Sequence, residues 1–127
     1  MPANYELDVE RGLVMIELAG VLTGADLEAF SERLRQDPAF DGTWPALVDA
    51  SGLDPAGLST DTIRARAAVP RKKPVRVAIV APADAVFGLA RMFQMMTEGR
   101  GNFIEVFRRR DEALAWLGSG RGGAQGD

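Results

Sequence analysis

The sequence predicts an α/β fold: a single-layer five-stranded mixed sheet, with an antiparallel hairpin at its N-terminus and parallel strands after it, packed with about four helices. Three observations predict it. The first twenty residues alternate apolar and polar positions on both sides of a glycine turn; from Thr23 onward strand-like apolar runs alternate with stretches of helical periodicity; and VRVAIVA, residues 75–81, is apolar on consecutive positions, as in a strand covered on both faces.

Each element follows in order. Tyr5, Leu7 and Val9 alternate with acidic residues, and after a turn at Arg11-Gly12 a second run sets Val14, Ile16 and Leu18 on one face and Met15 and Glu17 on the other. Thr23 and Asp26 stand at capping distance, and Leu27, Phe30 and Leu34 then recur along one helical face until Gln36-Asp37-Pro38 stops the helix. Pro45 precedes ALVDA, a short strand ending at Asp49; the loop SGLDPAGL and a helix from Ser59 to Val69 come next, the helix terminated by Pro70. After VRVAIVA come the helix DAVFGLARMFQMMTE, a fifth strand from Phe103 to Phe107, and a last helix from Asp111 to Leu117 with Gly118 as its C-cap. Residues 1–118 therefore form the domain, and 119–127 a flexible glycine-rich tail. A helix between successive parallel strands returns the chain to the same end of the sheet. The turns at the carboxyl end, where open α/β sheets usually place ligands, then carry Asp49, Ser51, Asp54, Ser59, Thr60 and Asp84.

Composition narrows the chemistry. A length of 127 residues fits one domain, and a net charge of −3 argues against non-specific nucleic-acid binding. The N-terminus lacks the basic stretch and apolar core of a signal peptide, and no apolar run approaches the roughly 20 residues that cross a bilayer, so a cytoplasmic protein is expected. Without cysteine there is no disulfide, thiolate nucleophile or thiolate metal site; without histidine the commonest general base and metal ligand is missing too. Asp49 and Asp84, at adjacent strand ends, invite a two-carboxylate reading or a phosphoacceptor role for Asp49. A receiver domain also needs a lysine after its fifth strand, however, and the only lysines are Lys72 and Lys73. Helix capping explains Asp84 and bonding of loop amides explains Asp49, so the expectation is a protein that is not an enzyme and uses no metal or cofactor.

Together, "YELDVERGLVMIELAGVLTGADLEAF", "LVDASGL", "VRVAIVAPADAVFGLARMFQMM" and "IEVFRRRDEALAWL" resemble the SpoIIAA-like branch of the STAS superfamily, over nearly the whole chain up to Gly118. The resemblance implies a mixed sheet flanked by helices and two trades. Some relatives are anti-anti-sigma factors, which bind a kinase partner and are turned off by serine phosphorylation. Others, close to the CRAL-TRIO lipid-transfer fold, are suspected of holding small hydrophobic ligands. For the switch, the matching segment is GLSTDT, which makes Ser59 or Thr60 the phosphorylation candidate, although the family's Asp-Ser-Ser-Gly pattern is missing and Asp54 and Asp61 would repel a phosphate. Capping of the helix by the same hydroxyls is the alternative.

For the ligand trade the interest lies in the third helix. With Asp84 as N-cap, Val86, Leu89, Ala90, Met92, Phe93 and Met96 form one broad stripe for the sheet, while Phe87 and Met95 fall off it beside Arg91. Phe87, Arg91 and Met95, with Asp84 and Asp49, are the candidate ligand-binding residues; a small hydrophobic molecule, a protein partner such as an anti-sigma-like kinase, or a second subunit of a homodimer could cover them. Packing of Phe87 under the Asp54–Leu58 loop and of Met95 under the tail is the alternative, and Gly88 invites close approach by another backbone. Two basic clusters complete the inventory. Arg64, Arg66, Arg71, Lys72, Lys73 and Arg76 suit a solvated face or peripheral contact with an anionic membrane, and Arg108, Arg109 and Arg110 suit either an anion or solvation.

Overall fold

A run of consecutive apolar residues needs cover on both sides, and the tertiary structure supplies it unequally. A computed structural model describes residues 2–40, 42–69, 75–98 and 103–123, with 119–123 described by backbone alone. Among these, the elements are β1 (Ala3–Asp8), β2 (Leu13–Val21), α1 (Gly24–Arg35), β3 (Ala46–Asp54), a 3-10 turn (Pro55–Gly57), α2 (Thr60–Ala67), β4 (Arg76–Val80), α3 (Asp84–Met96), β5 (Phe103–Phe107) and α4 (Arg110–Gly123). The strands form one sheet in chain order, with β1 antiparallel to β2 and every later pair parallel. The expected fold class is thus observed.

Strand order equal to chain order has a geometric consequence. Right-handed crossovers that always step the same way across a sheet put every connecting helix on the same face. Accordingly Val77 and Ile79 of β4 and Ile104 of β5 pack with Val86 and Ala90 of α3, and Phe30 of α1 packs with Ala3 and Leu22. α4, which follows the last strand, covers the other face alone: its Ala113 and Leu117 sit on Leu13, Leu47, Ala78 and Val80. β4 is therefore buried on both faces from Val77 to Val80.

Helix and strand ends shift by a residue or two in several places, and three differences from the sequence reading have a structural cause. Val9 belongs to the turn and is exposed, because Gly12, at φ 63°, closes the hairpin with its N–H on the Val9 carbonyl at 3.3 Å. β3 does not end at Asp49 but runs to Asp54, since β2 is long enough to go on pairing with it. Between Glu17↔Asp49 and Ala19↔Gly52 the register gains one residue on β3, a bulge that leaves both Ala50 and Leu53 on the three-helix side. Asp49 holds it, accepting the Ser51 N–H at 3.0 Å and the Ser51 hydroxyl on Oδ1. α4 continues through Gly118, which lacks the left-handed φ of a C-cap; residues 124–127 of the expected tail lie outside the described residues.

α1 is as expected. Thr23 Oγ1 accepts the Asp26 N–H at 3.2 Å and Asp26 accepts the Thr23 N–H at 3.0 Å, a reciprocal box. Both sheet edges are tied to a neighbouring helix: Arg33 Nη2 donates to the Ala3 carbonyl at 2.7 Å, and Gln94 Nε2 donates to the Ile104 carbonyl at 2.8 Å. Such caps blunt edges that would otherwise pair with other strands.

Two predictions follow from this packing. Gly57 lies so close to the end of β2 that a Cβ there would stand 2.5 Å from the Leu22 carbonyl oxygen. Gly57→Ala should therefore cost about 1–3 kcal/mol, read as a lower denaturant midpoint at unchanged slope. The Tyr5 hydroxyl donates to Asp37 Oδ2 at 2.5 Å; that bond holds the Asp37 carboxyl below its ordinary value and raises the Tyr5 phenol above its own. The contribution from Asp37 is present above the unfolded aspartate pKa and is lost as pH falls through the folded one. The contribution from Tyr5 is present below the unfolded tyrosine pKa and is lost as pH rises through the folded one. Tyr5→Phe should be less stable than the parent at neutral pH, with the gap narrowing at both extremes of a thermal-denaturation pH series.

Candidate functional site

Parallel strands deliver their following turns to one end of the sheet, and there the three consecutive arginines after β5 each meet a different acid. Arg108 Nη1 donates to Asp84 Oδ1 at 2.6 Å and to the Pro82 carbonyl at 3.0 Å, with its guanidinium carbon 4.0 Å from the centroid of the Phe87 ring. Arg109 grips Asp111 with Nε at 3.0 Å and Nη2 at 2.8 Å, and this hydrogen bond holds the Asp111 carboxyl below the usual carboxylate range. Arg110 Nη1 lies 3.3 Å from Asp49 Oδ2. The triplet is therefore matched acid for arginine, and no bound anion is needed to explain it. Asp49 and Asp84, paired in the sequence reading, are held by separate arginines. Among the described residues no group of three acidic side chains is placed to hold a metal ion.

The third helix is rolled relative to its expected orientation. Asp84 is its first residue and not its N-cap; Ala83, whose methyl side chain can accept no hydrogen bond, occupies the cap, and the Asp84 carboxylate pairs with Arg108. Val86, Ala90 and Phe93 face the core as predicted, but Phe87 joins them, and Gln94 and the buried Thr97 share that side. Leu89, Met92 and Met96 are left half-buried on the flank turned towards α2. The roll is a little under the ~100° between successive helical residues. Its cause lies on the β5 flank, where the Gln94 bond to Ile104 and the Arg108 stack on Phe87 anchor the helix. Phe87 is thus accounted for by core packing. Met95 points directly away from the sheet and is 58% exposed, Arg91 is exposed beside it, and Gly88 has no atom within 4 Å of where a Cβ would stand.

Ser59 caps α2, its Oγ accepting the Thr62 N–H at 3.0 Å, and it is exposed, as is Thr60 at the first helical position. Of the two acids expected to repel a phosphate, Asp61 forms an exposed pair with Arg64 at 2.9 Å and Asp54 accepts the Ala56 N–H at 2.9 Å. In the basic cluster containing Arg64, Arg76 stacks 4.4 Å from the Trp116 ring centroid and donates to the Trp116 carbonyl; Arg71, Lys72 and Lys73 lie outside the described residues.

Two surface depressions flank α4, on the face that this helix covers alone. One, about 360 Å³, is mainly apolar and lined by Leu13, Leu114, Ala115 and Leu117 with Arg11 at its rim. The other, about 410 Å³, lies over β1 and β2, with Asn4, Glu6, Met15, Glu17, Asp49 and Arg110. Of the five ligand-binding candidates only Asp49 lines either depression; Phe87, Arg91, Met95 and Asp84 line neither. The sequence reading missed the second depression. Its one visible signal was the placing of Glu6 and Glu17 on the hairpin's polar face, which any solvated strand would also show.

Comparison with known proteins identifies the architecture. No family model and no curated protein matches the chain. Among solved structures, an uncharacterized protein from the DUF3478 family with a SpoIIAA-like fold, from Shewanella loihica PV-4, matches it at a TM-score of 0.59 and 22% sequence identity, over 91% of each chain. The chain has a SpoIIAA-like fold, as its residues implied.

The capping geometry predicts a graded series at the start of α2. Ser59→Ala should cost about 1 kcal/mol, Ser59→Asp should restore most of that, and Thr60→Ala should stay within about 0.5 kcal/mol of the parent, all read by chemical denaturation.

Proposed function

We propose that this chain is a non-enzymatic binding domain that engages a protein partner through the outer side of α3, with phosphorylation of Ser59 as its switch. The observation that carries the reading is Met95, 58% exposed at the helical position opposite the sheet, with half-buried Met92 near it and exposed Arg91 one turn before it. Among the described residues nothing packs over Met95 to require a large apolar side chain there, and methionine adapts well to a partner's contours. The exposed Ser59 hydroxyl supports the switch: a phosphate there would sit at the α2 N-terminus, where helix amides and the dipole favour negative charge, and Arg64 stands beside Asp61. The same side of α3 would serve a homodimer.

A second reading has one specific observation in its favour. The open depression beside α4, about 360 Å³ and lined by Leu13, Leu114, Ala115 and Leu117 with Arg11, offers mainly apolar contacts to a small hydrophobic molecule. Native mass spectrometry of protein purified from cells should then show a retained lipid-like adduct that Leu114→Trp removes.

The main reading is tested by incubation with a cognate anti-sigma-type kinase and peptide mapping. The expected outcome is phosphate on Ser59 or Thr60, with Met95→Glu weakening kinase binding by about tenfold or more at an unchanged melting temperature. If the partner is a second copy, Met95→Glu should instead convert a dimer to a monomer in sedimentation. No phosphate, together with full binding and unchanged association state in Met95→Glu, would overturn the proposal.

A further inference from the structure

Three connecting helices crowd one face of the sheet, and on the other α4 lies over β3, β4 and β5 and reaches Leu13 at the start of β2. Beyond Leu13, the part of that face formed by β1 and β2 has no helix packed on it among the described residues. Strand alternation and register fix what it presents: Asn4 and Glu6 from β1, Met15 and Glu17 from β2, with Asn4 opposite Glu17, Glu17 opposite Asp49, and Glu6 opposite Met15. These side chains form the depression of about 410 Å³, and Met15 and Leu47 make its floor.

The charges there are unbalanced. Glu17 and Asp49 are direct cross-strand neighbours, an arrangement that disfavours both unless a cation intervenes. One cation is in place, the Arg110 guanidinium on Asp49, which reaches in from the start of α4. Glu6 and Glu17 are exposed and make no ion pair or hydrogen bond among the described residues. Arg110 therefore displays the way this surface receives a guanidinium, and two further carboxylates stand beside it without one.

We propose that the bare β1–β2 half of the sheet docks a lysine- or arginine-bearing segment of a protein partner. The aliphatic stem of such a side chain would lie over Met15, and its head would reach Glu6 and Glu17. The site is separate from the α3 surface, on the opposite face of the sheet, so one domain offers an apolar contact on one side and an acidic contact on the other. Complementary charge of this kind acts mainly on encounter rate and on partner choice, so the interaction weakens with salt.

Titration of isotope-labelled protein with hexa-arginine, followed by backbone NMR, tests the assignment. The expected result is shifts confined to Asn4, Glu6, Met15, Glu17, Asp49 and Arg110, with Glu6→Gln/Glu17→Gln weakening binding by about tenfold or more. The charge-matched control Glu28→Gln/Glu98→Gln, on exposed residues elsewhere, should change it by less than about twofold. Both double variants should retain the parent spectrum away from the substitutions. Equal weakening by the two pairs would mean diffuse attraction and overturn the proposal, as would absent binding or shifts centred on α1 or α3. Concentration-dependent shifts at the same six residues without peptide would identify the occupant as a second copy of the chain and overturn the assignment to a basic partner.

Discussion

The structure depends on β4 being dry on both faces. Val77 and Ile79 face one helical layer and Ala78 and Val80 the other, so the strand cannot form without helices above and below it. Because β2 to β5 are added in chain order, three helices fall on one side, and a single helix, after the last strand, must provide all the cover on the other. That helix covers β3, β4, β5 and Leu13 at the start of β2 but leaves the rest of the hairpin open. The unequal layers are therefore the direct outcome of strand order, and they determine which parts of the surface are free to do anything beyond folding.

Electrostatics at the carboxyl end is the second organising feature. Open parallel sheets usually bind ligands there, yet Asp84, Asp111 and Asp49 are each taken by one member of the Arg108–Arg109–Arg110 run. These pairs are exposed and individually worth little in stability. Their larger effect is positional: Arg108 ties β5 to the start of α3, and Arg110 ties α4 to β3. With those charges balanced internally, the unbalanced surfaces lie elsewhere, on the outer side of α3 and over the hairpin.

Much of this was legible from residue patterns. The Thr23–Asp26 box, the alternation of Val14, Ile16 and Leu18 with Met15 and Glu17, and the unbroken apolar run of β4 each encode a local geometry that tertiary contacts reinforce. Other features were not legible because they depend on partners distant in sequence. The extension of β3 past Asp49 required β2 beside it. Asp84 was assigned a cap because nothing local announces Arg108, 24 residues on. Phe87 was set aside as surplus because periodicity weighs a helix by its apolar residues alone, whereas Gln94 and Arg108 fix its rotation by bonds to the β5 edge and to the turn after it.

The elements, their order and the mixed sheet are written in the residues, because hydrophobic period, capping residues and turn residues are local and act within a few residues of one another. Which side chains are left over emerges only on folding: Phe87 is core and Met95 is not, three arginines pair with three aspartates, and Glu6 and Glu17 share a bare face with Asp49. The reason is physical. Burial and charge pairing are properties of surfaces brought together from different parts of the chain, and the helical roll and strand register that bring them together are fixed by contacts no single segment contains.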